Sequence, residues 1–289
     1  MDSKIYSSIL KTICYADVFG YPLREDEVYK WINDSRIVGY SDIKRANGVI
    51  QHKDNFMFLS GRWDIIAKRK ERQNISKKKL LLAERISAKL TYIPMIKLIG
   101  VSGSISMENA TVDDDIDLFI VAKEGTVWLT RLFATIIVEF FSKRRRPDDS
   151  DVADKICLNM FIDEKHLAIP GEKQNLYTAH EVCQLKVLFD KDNTHAKFLY
   201  VNRWAKKYLP NALLARGTWH VGNPSKLSAI RYVLYACEWL AKHLQLWYMR
   251  RRRTTETISD SYLAFHPKDY TKEILAAFEE RFTFYGSHV

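Results

Sequence analysis

The sequence predicts an α+β fold, a mixed sheet with flanking helices that follows a segment of short helices and a hairpin and precedes a helical region. Three patterns predict it. Helical spacing gives way to a hairpin in the first 62 residues, short apolar strands alternate with helices through the middle, and long helix-period runs fill the remainder.

Residues 4–19 place Ile5, Ile9, Ile13 and Val18 at roughly helical spacing, and Gly20-Tyr21-Pro22 ends the run. Residues 24–32 read as a second helix with Val28 and Trp31 turned inward, and residues 41–49 as a third with Ser41 as its N-cap. Val49-Ile50-Gln51-His52 and Phe56-Met57-Phe58-Leu59 flank the polar turn Lys53-Asp54-Asn55, the pattern of a hairpin. Three helices and a hairpin follow the order of a winged helix-turn-helix, so residues 1–62 are expected to be winged-helix-like.

Residues 63–90 contain no Pro or Gly and carry Lys and Arg along most of their length. They predict one long helix, or two broken near Asn74-Ile75-Ser76, ended by Pro94. Strands follow at 95–101, 116–121 and 156–162, with a polar loop at 103–114 and a helix at 128–142. These elements make residues 63–177 a second unit. Helices are expected at 179–188, 194–208, 227–250 and 270–284, punctuated by Pro210, Pro224 and Pro267, so residues 178–289 read as a helical domain.

The composition, 47% hydrophobic and 28% charged, excludes wholesale disorder. Cys14, Cys157, Cys183 and Cys237 lie far apart without CxxC spacing, which reads as free thiols in a reducing cytoplasm. The two most apolar stretches, 127–141 and 227–249, both contain charges, so no transmembrane segment is expected. Charge is distributed unevenly. Residues 63–95 hold 9 basic and 3 acidic side chains and residues 201–289 hold 14 and 7, around a centre (96–200) with 13 and 17. A base-rich surround on an acidic centre suits a metal site serving a polyanion.

The chemistry concentrates in Gly103-Ser104, followed after ten residues by Asp115-Ile116-Asp117. Residues two apart in a strand share a face, so Asp115 and Asp117 project together while Ile116 and Leu118 point the other way. Adjacent carboxylates repel, and a hard divalent cation such as Mg²⁺ relieves that repulsion. A Gly-Ser turn lets backbone and hydroxyl approach a phosphate.

This arrangement resembles the signature of the DNA polymerase β-like nucleotidyltransferase superfamily over about residues 79–165, on Ser102, Gly103, Ser104, Asp115, Ile116, Asp117 and Leu118. More loosely, most of the chain resembles prokaryotic proteins joining a winged-helix-like segment to such a domain. That likeness rests on Tyr15-Ala16-Asp17-Val18-Phe19-Gly20-Tyr21-Pro22, Cys157-Leu158-Asn159, Asn202-Arg203-Trp204 and Leu209-Pro210-Asn211. The resemblance implies a nucleotidyltransferase-fold sheet, with Asp115 and Asp117 catalytic and holding Mg²⁺, and Gly103 and Ser104 binding the nucleotide. The third carboxylate usual in the superfamily is replaced at the strand 156–162, where Asn159 is expected as the third ligand. Asp154 and Asp163 lie at its ends. The implied reaction moves an NMP group from an NTP to an acceptor that is protein, RNA or a small molecule. A nucleotide-sensing DNA-binding regulator and a catalytically degenerate module stay open.

Elsewhere, Lys143-Arg144-Arg145-Arg146 and Arg250-Arg251-Arg252-Arg253 suit a nucleic acid or triphosphate through charge, though a solvated loop is the commoner fate of such runs. Arg131, on an apolar helix, requires a partner. His180 and His266 read as structural or exposed, and the aromatic C-terminal helices as core or as a membrane-surface element. No Walker motif and no GxGxxG occurs.

Overall fold

The helix α1 (Ser3–Val18) buries Ile9, Leu10, Ile13 and Cys14, and leads through β1 (Leu23–Arg24) into α2 (Glu25–Lys30) and α3 (Tyr40–Ile43). The hairpin strands β2 (Ile50–Lys53) and β3 (Phe56–Leu59) turn through Asp54 and Asn55, both at left-handed φ (52° and 65°), a two-residue turn that asparagine and aspartate tolerate. With β1 they make a three-stranded sheet in the order β1-β3-β2. In this computed structural model the described residues are 3–43, 46–146, 149–213, 229–250, 257–264 and 270–287. The third helix is shorter than its spacing predicted, and Lys44 and Arg45 lie outside the described residues.

A 26-residue helix, α4 (Ile65–Leu90), leads without a break into the second sheet. Its strands are β4 (Ile96–Val101), β5 (Ile116–Ala122), β6 (Ile156–Asp163), β7 (Lys186–Asp190), β8 (Thr257–Ile258) and β9 (Tyr262–Ala264). Among them lie α5 (Gly103–Ser106), α6 (Val127–Phe141), α7 (Leu176–Gln184), α8 (Thr194–Val201) and α9 (Ala229–Met249), and α10 (Thr271–Gly286) follows β9. The strand order is β7-β4-β5-β6-β9-β8, with β5 and β6 parallel and the other pairs antiparallel. The parallel pair needs a crossover, which α6 supplies.

The expected helix over 179–188 divides in two. Gln184 ends α7, and Lys186–Asp190 pairs with β4 as an edge strand. Leu185, between them, packs against Gly100 so closely that a Cβ there would lie 2.8 Å from its Cδ1. The expected boundary between 177 and 178 therefore crosses a continuous sheet, because β7, β8 and β9 all come from beyond it.

Alternation sorts the sheet's two faces. Ile116, Leu118, Ile120 and Phe161 pack under α4, α6 and Ala241 of α9. Phe119, Val121 and Ile162 face α1, α7 and α8, in one core that runs from Ile9 to Phe278. The second of these faces carries Asp117.

Candidate functional site

Asp117 is the second residue of β5, and Asp115 immediately precedes the strand. In the parallel register Asp117 stands opposite Cys157, the second residue of β6. Oxygens of Asp115 and Asp117 and the Cys157 sulfur all lie within 4.8 Å of one another. The alternation that made the two carboxylates neighbours in the sequence thus brings them together in space, at the N-terminal ends of the two parallel strands.

The expected third position is filled differently. Between the pairs Asp117–Cys157 and Phe119–Met160 the register slips, so β6 uses one extra residue. Asn159 falls in that bulge and is buried, while the thiol of Cys157 takes the place beside Asp117. A bulge re-aims side chains, and no alternation rule counts across it.

The Gly103 turn closes on the pair. Gly103 has φ of +64°, and a Cβ there would come within 3.3 Å of Asp117 Oδ2. Only a residue without a side chain takes this backbone conformation at this separation without strain. The Ser104 hydroxyl donates to Asp114 Oδ2 at 2.6 Å, and Asp114 also accepts from the Thr111 hydroxyl at 2.7 Å and the Thr111 N–H at 3.1 Å. Buried Lys79 of α4 then donates to the carbonyls of Val112 (3.0 Å) and Asp114 (2.7 Å) and to Asp154 (2.7 Å). Ser104 therefore belongs to a braced loop, and Asp154 serves α4 rather than the carboxylate pair.

Burial and the charge of Asp115 push the Asp117 carboxyl up to about 7. The Cys157 thiol hydrogen-bonds to Asp117, and burial with the two nearby carboxylates raises it well above the usual thiol value, so it stays protonated at neutral pH. Arg145 donates to Asp115 Oδ2 at 2.7 Å and supplies positive charge at the pair. Glu181 of α7 lies near enough to raise Asp117 further, and burial pushes its own carboxyl to about 7.

Arg145, Cys157 and Glu181 are the members that sequence reasoning did not single out. Arg145 was one of four consecutive bases, and only the backbone pairing of its segment with Ile156 turns it inward. Cys157 follows the strand's first residue and would be found by pairing β6 in parallel with β5. Glu181 carries no sequence signal toward a site 64 residues earlier.

Other expected features resolve individually. Arg131 donates to the Gln245 side-chain oxygen at 2.6 Å. His180 is buried and stacked on Tyr15 at 4.3 Å, a structural role, and His266 lies outside the described residues. None of the four cysteines is in a disulfide, and Cys237 is the exposed one. Of the basic residues of α4, Arg69 is buried on Glu27 and the ring of Tyr21, and Arg72 bonds Asn109. A cleft of about 1120 Å³ opens beyond the Gly103 turn, between Ser106-Met107-Glu108, Trp31 and His180, with Lys186, Arg203 and Lys206 on its wall.

No family model matches this chain, and no curated protein or solved structure matches it either.

Proposed function

We propose that the chain is a Mg²⁺-dependent nucleotidyltransferase with the fold of the DNA polymerase β-like superfamily, moving an NMP group from an NTP to an acceptor. The observation that carries this reading is the convergence of Asp115 and Asp117 against the Gly103 turn. The residues present fit a hard cation. Two carboxylate oxygens lie within 4.8 Å of each other, and burial together with the charge of Asp115 raises the Asp117 carboxyl. Asp115 and Asp117 would hold the ion, while the protonated Cys157 thiol offers it a poor donor. When bound, Mg²⁺ supplies charge stabilisation to the triphosphate and the leaving pyrophosphate.

The chain's own residues do the rest. Gly103 leaves room for phosphate beside the carboxylates, and the Ser104–Asp114–Lys79 brace fixes that loop. Arg145 offers a guanidinium to the charge that develops on the phosphates. The cleft beyond the turn, with bases and aromatics on its walls, is large enough for an acceptor molecule. The short helices and hairpin of residues 1–62 are read as winged-helix-like on their element order.

Cys157 favours a second reading, a module that binds nucleotide with little or no turnover, including a nucleotide-sensing DNA-binding regulator. A thiol in place of a carboxylate leaves the ion with fewer charged ligands. The test is calorimetric titration with each NTP in Mg²⁺ and in EDTA, on the native chain and on Asp115→Ala/Asp117→Ala, paired with a pyrophosphate-release assay. Mg²⁺-dependent binding lost in the double variant, with pyrophosphate released, supports the enzyme. Binding without release supports the sensor, and Cys157→Asp should then restore measurable release. Absence of NTP binding by a folded sample overturns both.

A further inference from the structure

Two helices on the sheet's outer side each leave an apolar stripe uncovered. On α6, Ile136 and Phe140 are four residues apart, with Phe140 82% exposed and Phe141 beside it 59% exposed. On α9, Leu240, Leu244 and Trp247 recur at helical spacing, with Trp247 68% exposed. Side chains at such spacing share one face. Exposed aromatics in this number mark a surface that meets something other than water.

The two stripes belong to one surface. A Cβ on Gly125, just before α6, would touch the Tyr235 ring; the Trp128 and Leu129 N–H groups donate to Glu238; Arg131 donates to Gln245. Contacts that advance in the same sense along both helices mean that they run side by side toward a common end. At that end each helix passes from aromatics to bases. Phe140-Phe141 gives way to Lys143-Arg144-Arg145-Arg146, and Trp247-Tyr248 to Arg250. Lys89 of α4 adds a further cation, 5.3 Å from the Phe141 ring centre. Arg145 is committed to Asp115, and Arg144 and Arg146 pair with Glu139, while Lys143 and Arg250 are exposed.

We propose that this face docks on a membrane surface rich in anionic lipids. Aromatic side chains enter the headgroup boundary while Lys and Arg meet lipid phosphates, the arrangement of an interfacial helix. The charge decides against a second copy of the chain, because mating two such ends would oppose their exposed bases, Lys143 and Arg250 among them. It lies on the surface rather than across it, since no described helix is long and apolar enough to span. The inference does not depend on the nucleotidyltransferase reading.

The experiment is co-sedimentation of the full chain with phosphatidylcholine vesicles and with vesicles also containing phosphatidylglycerol, at low and high salt. Each exposed base near an anionic surface contributes roughly fivefold in affinity, so a preference of about tenfold or more for the anionic vesicles, lost at high salt, is expected. Phe140→Ser/Trp247→Ser and Lys143→Glu/Arg250→Glu should each weaken binding about tenfold while circular dichroism stays unchanged, because all four positions are exposed. Equal partition onto both vesicle types, or none onto either, overturns the proposal. So does a dimer in light scattering that Phe140→Ser/Trp247→Ser splits, which would make a second copy the occupant.

Discussion

His180 and Glu181 are consecutive on α7, and burial acts on them in opposite directions. It pulls the imidazole from 6.5 to about 3 and pushes the carboxyl from 4.5 to about 7, so both are neutral in the folded chain near pH 5.5. For His180 the unfolded chain binds the extra proton between about pH 3 and 6.5, so stability rises with pH across that window. For Glu181 the folded chain binds it between about 4.5 and 7, so stability falls as pH rises. Where the windows overlap the two slopes, each at most about 1.4 kcal/mol per pH unit, cancel. Glu181→Gln should remove the Glu181 slope, so that the variant's stability rises relative to the native chain's by roughly 1–2 kcal/mol between about pH 5 and 6.5, as paired urea unfolding would read. Parallel profiles for the variant and the native chain would refute the burial of Glu181 as the cause. Asp115 and Asp117 were legible in the sequence because strand alternation is a local rule. Cys157 was not, since its position beside Asp117 is a property of pairing between strands, altered by a bulge.

At the level of the elements, α4 shows how a basic helix differs from a basic surface. A run of Lys and Arg along a helix suits a solvated face, and for Lys77, Lys78 and Arg85 exposure is the outcome. Lys79, in the same run of lysines, is buried and holds two carbonyls and Asp154. Periodicity distinguishes these lysines only once the buried face is known. Lys79→Met keeps the helix and the packed stem but leaves the two carbonyls without their donor. It should cost about 2–3 kcal/mol in denaturant unfolding. NTP affinity should fall with it, because the braced loop carries Ser104; unchanged affinity would separate the loop from the site. The misread stretch at 179–188 has a similar origin. Lys186-Val187-Leu188-Phe189-Asp190 continues an apolar run, and only the open edge of β4 selects a strand there over another helical turn.

For the molecule as a whole, the three expected units share their interior. One core joins Ile9 of α1, Val182 of α7, Leu199 of α8 and Phe278 of α10. Buried Asp17, at the end of α1, accepts from Arg62 at 2.8 Å and from Arg281 of α10 at 2.9 Å. Asn211 donates to the carbonyls of Tyr29 and Val38. The chain's ends are thereby fastened to each other, and unfolding should be one transition, with far-ultraviolet dichroism and tryptophan fluorescence superimposing. Asp17→Ala should lower stability by about 2 kcal/mol without splitting that transition. A separate early transition for the N-terminal helices would contradict the shared core.

What can be read from residues alone is whatever depends on neighbours in the chain. The helical periods, the hairpin at Asp54-Asn55, the alternation through Ile116 to Val121 and the pairing of Asp115 with Asp117 are all of this kind. What required the folded chain depends on residues far apart in sequence. The edge strand β7, the parallel register that seats Cys157, the inward turn of Arg145, and the core joining first helix to last arise from long-range pairing and burial, which no local spacing encodes.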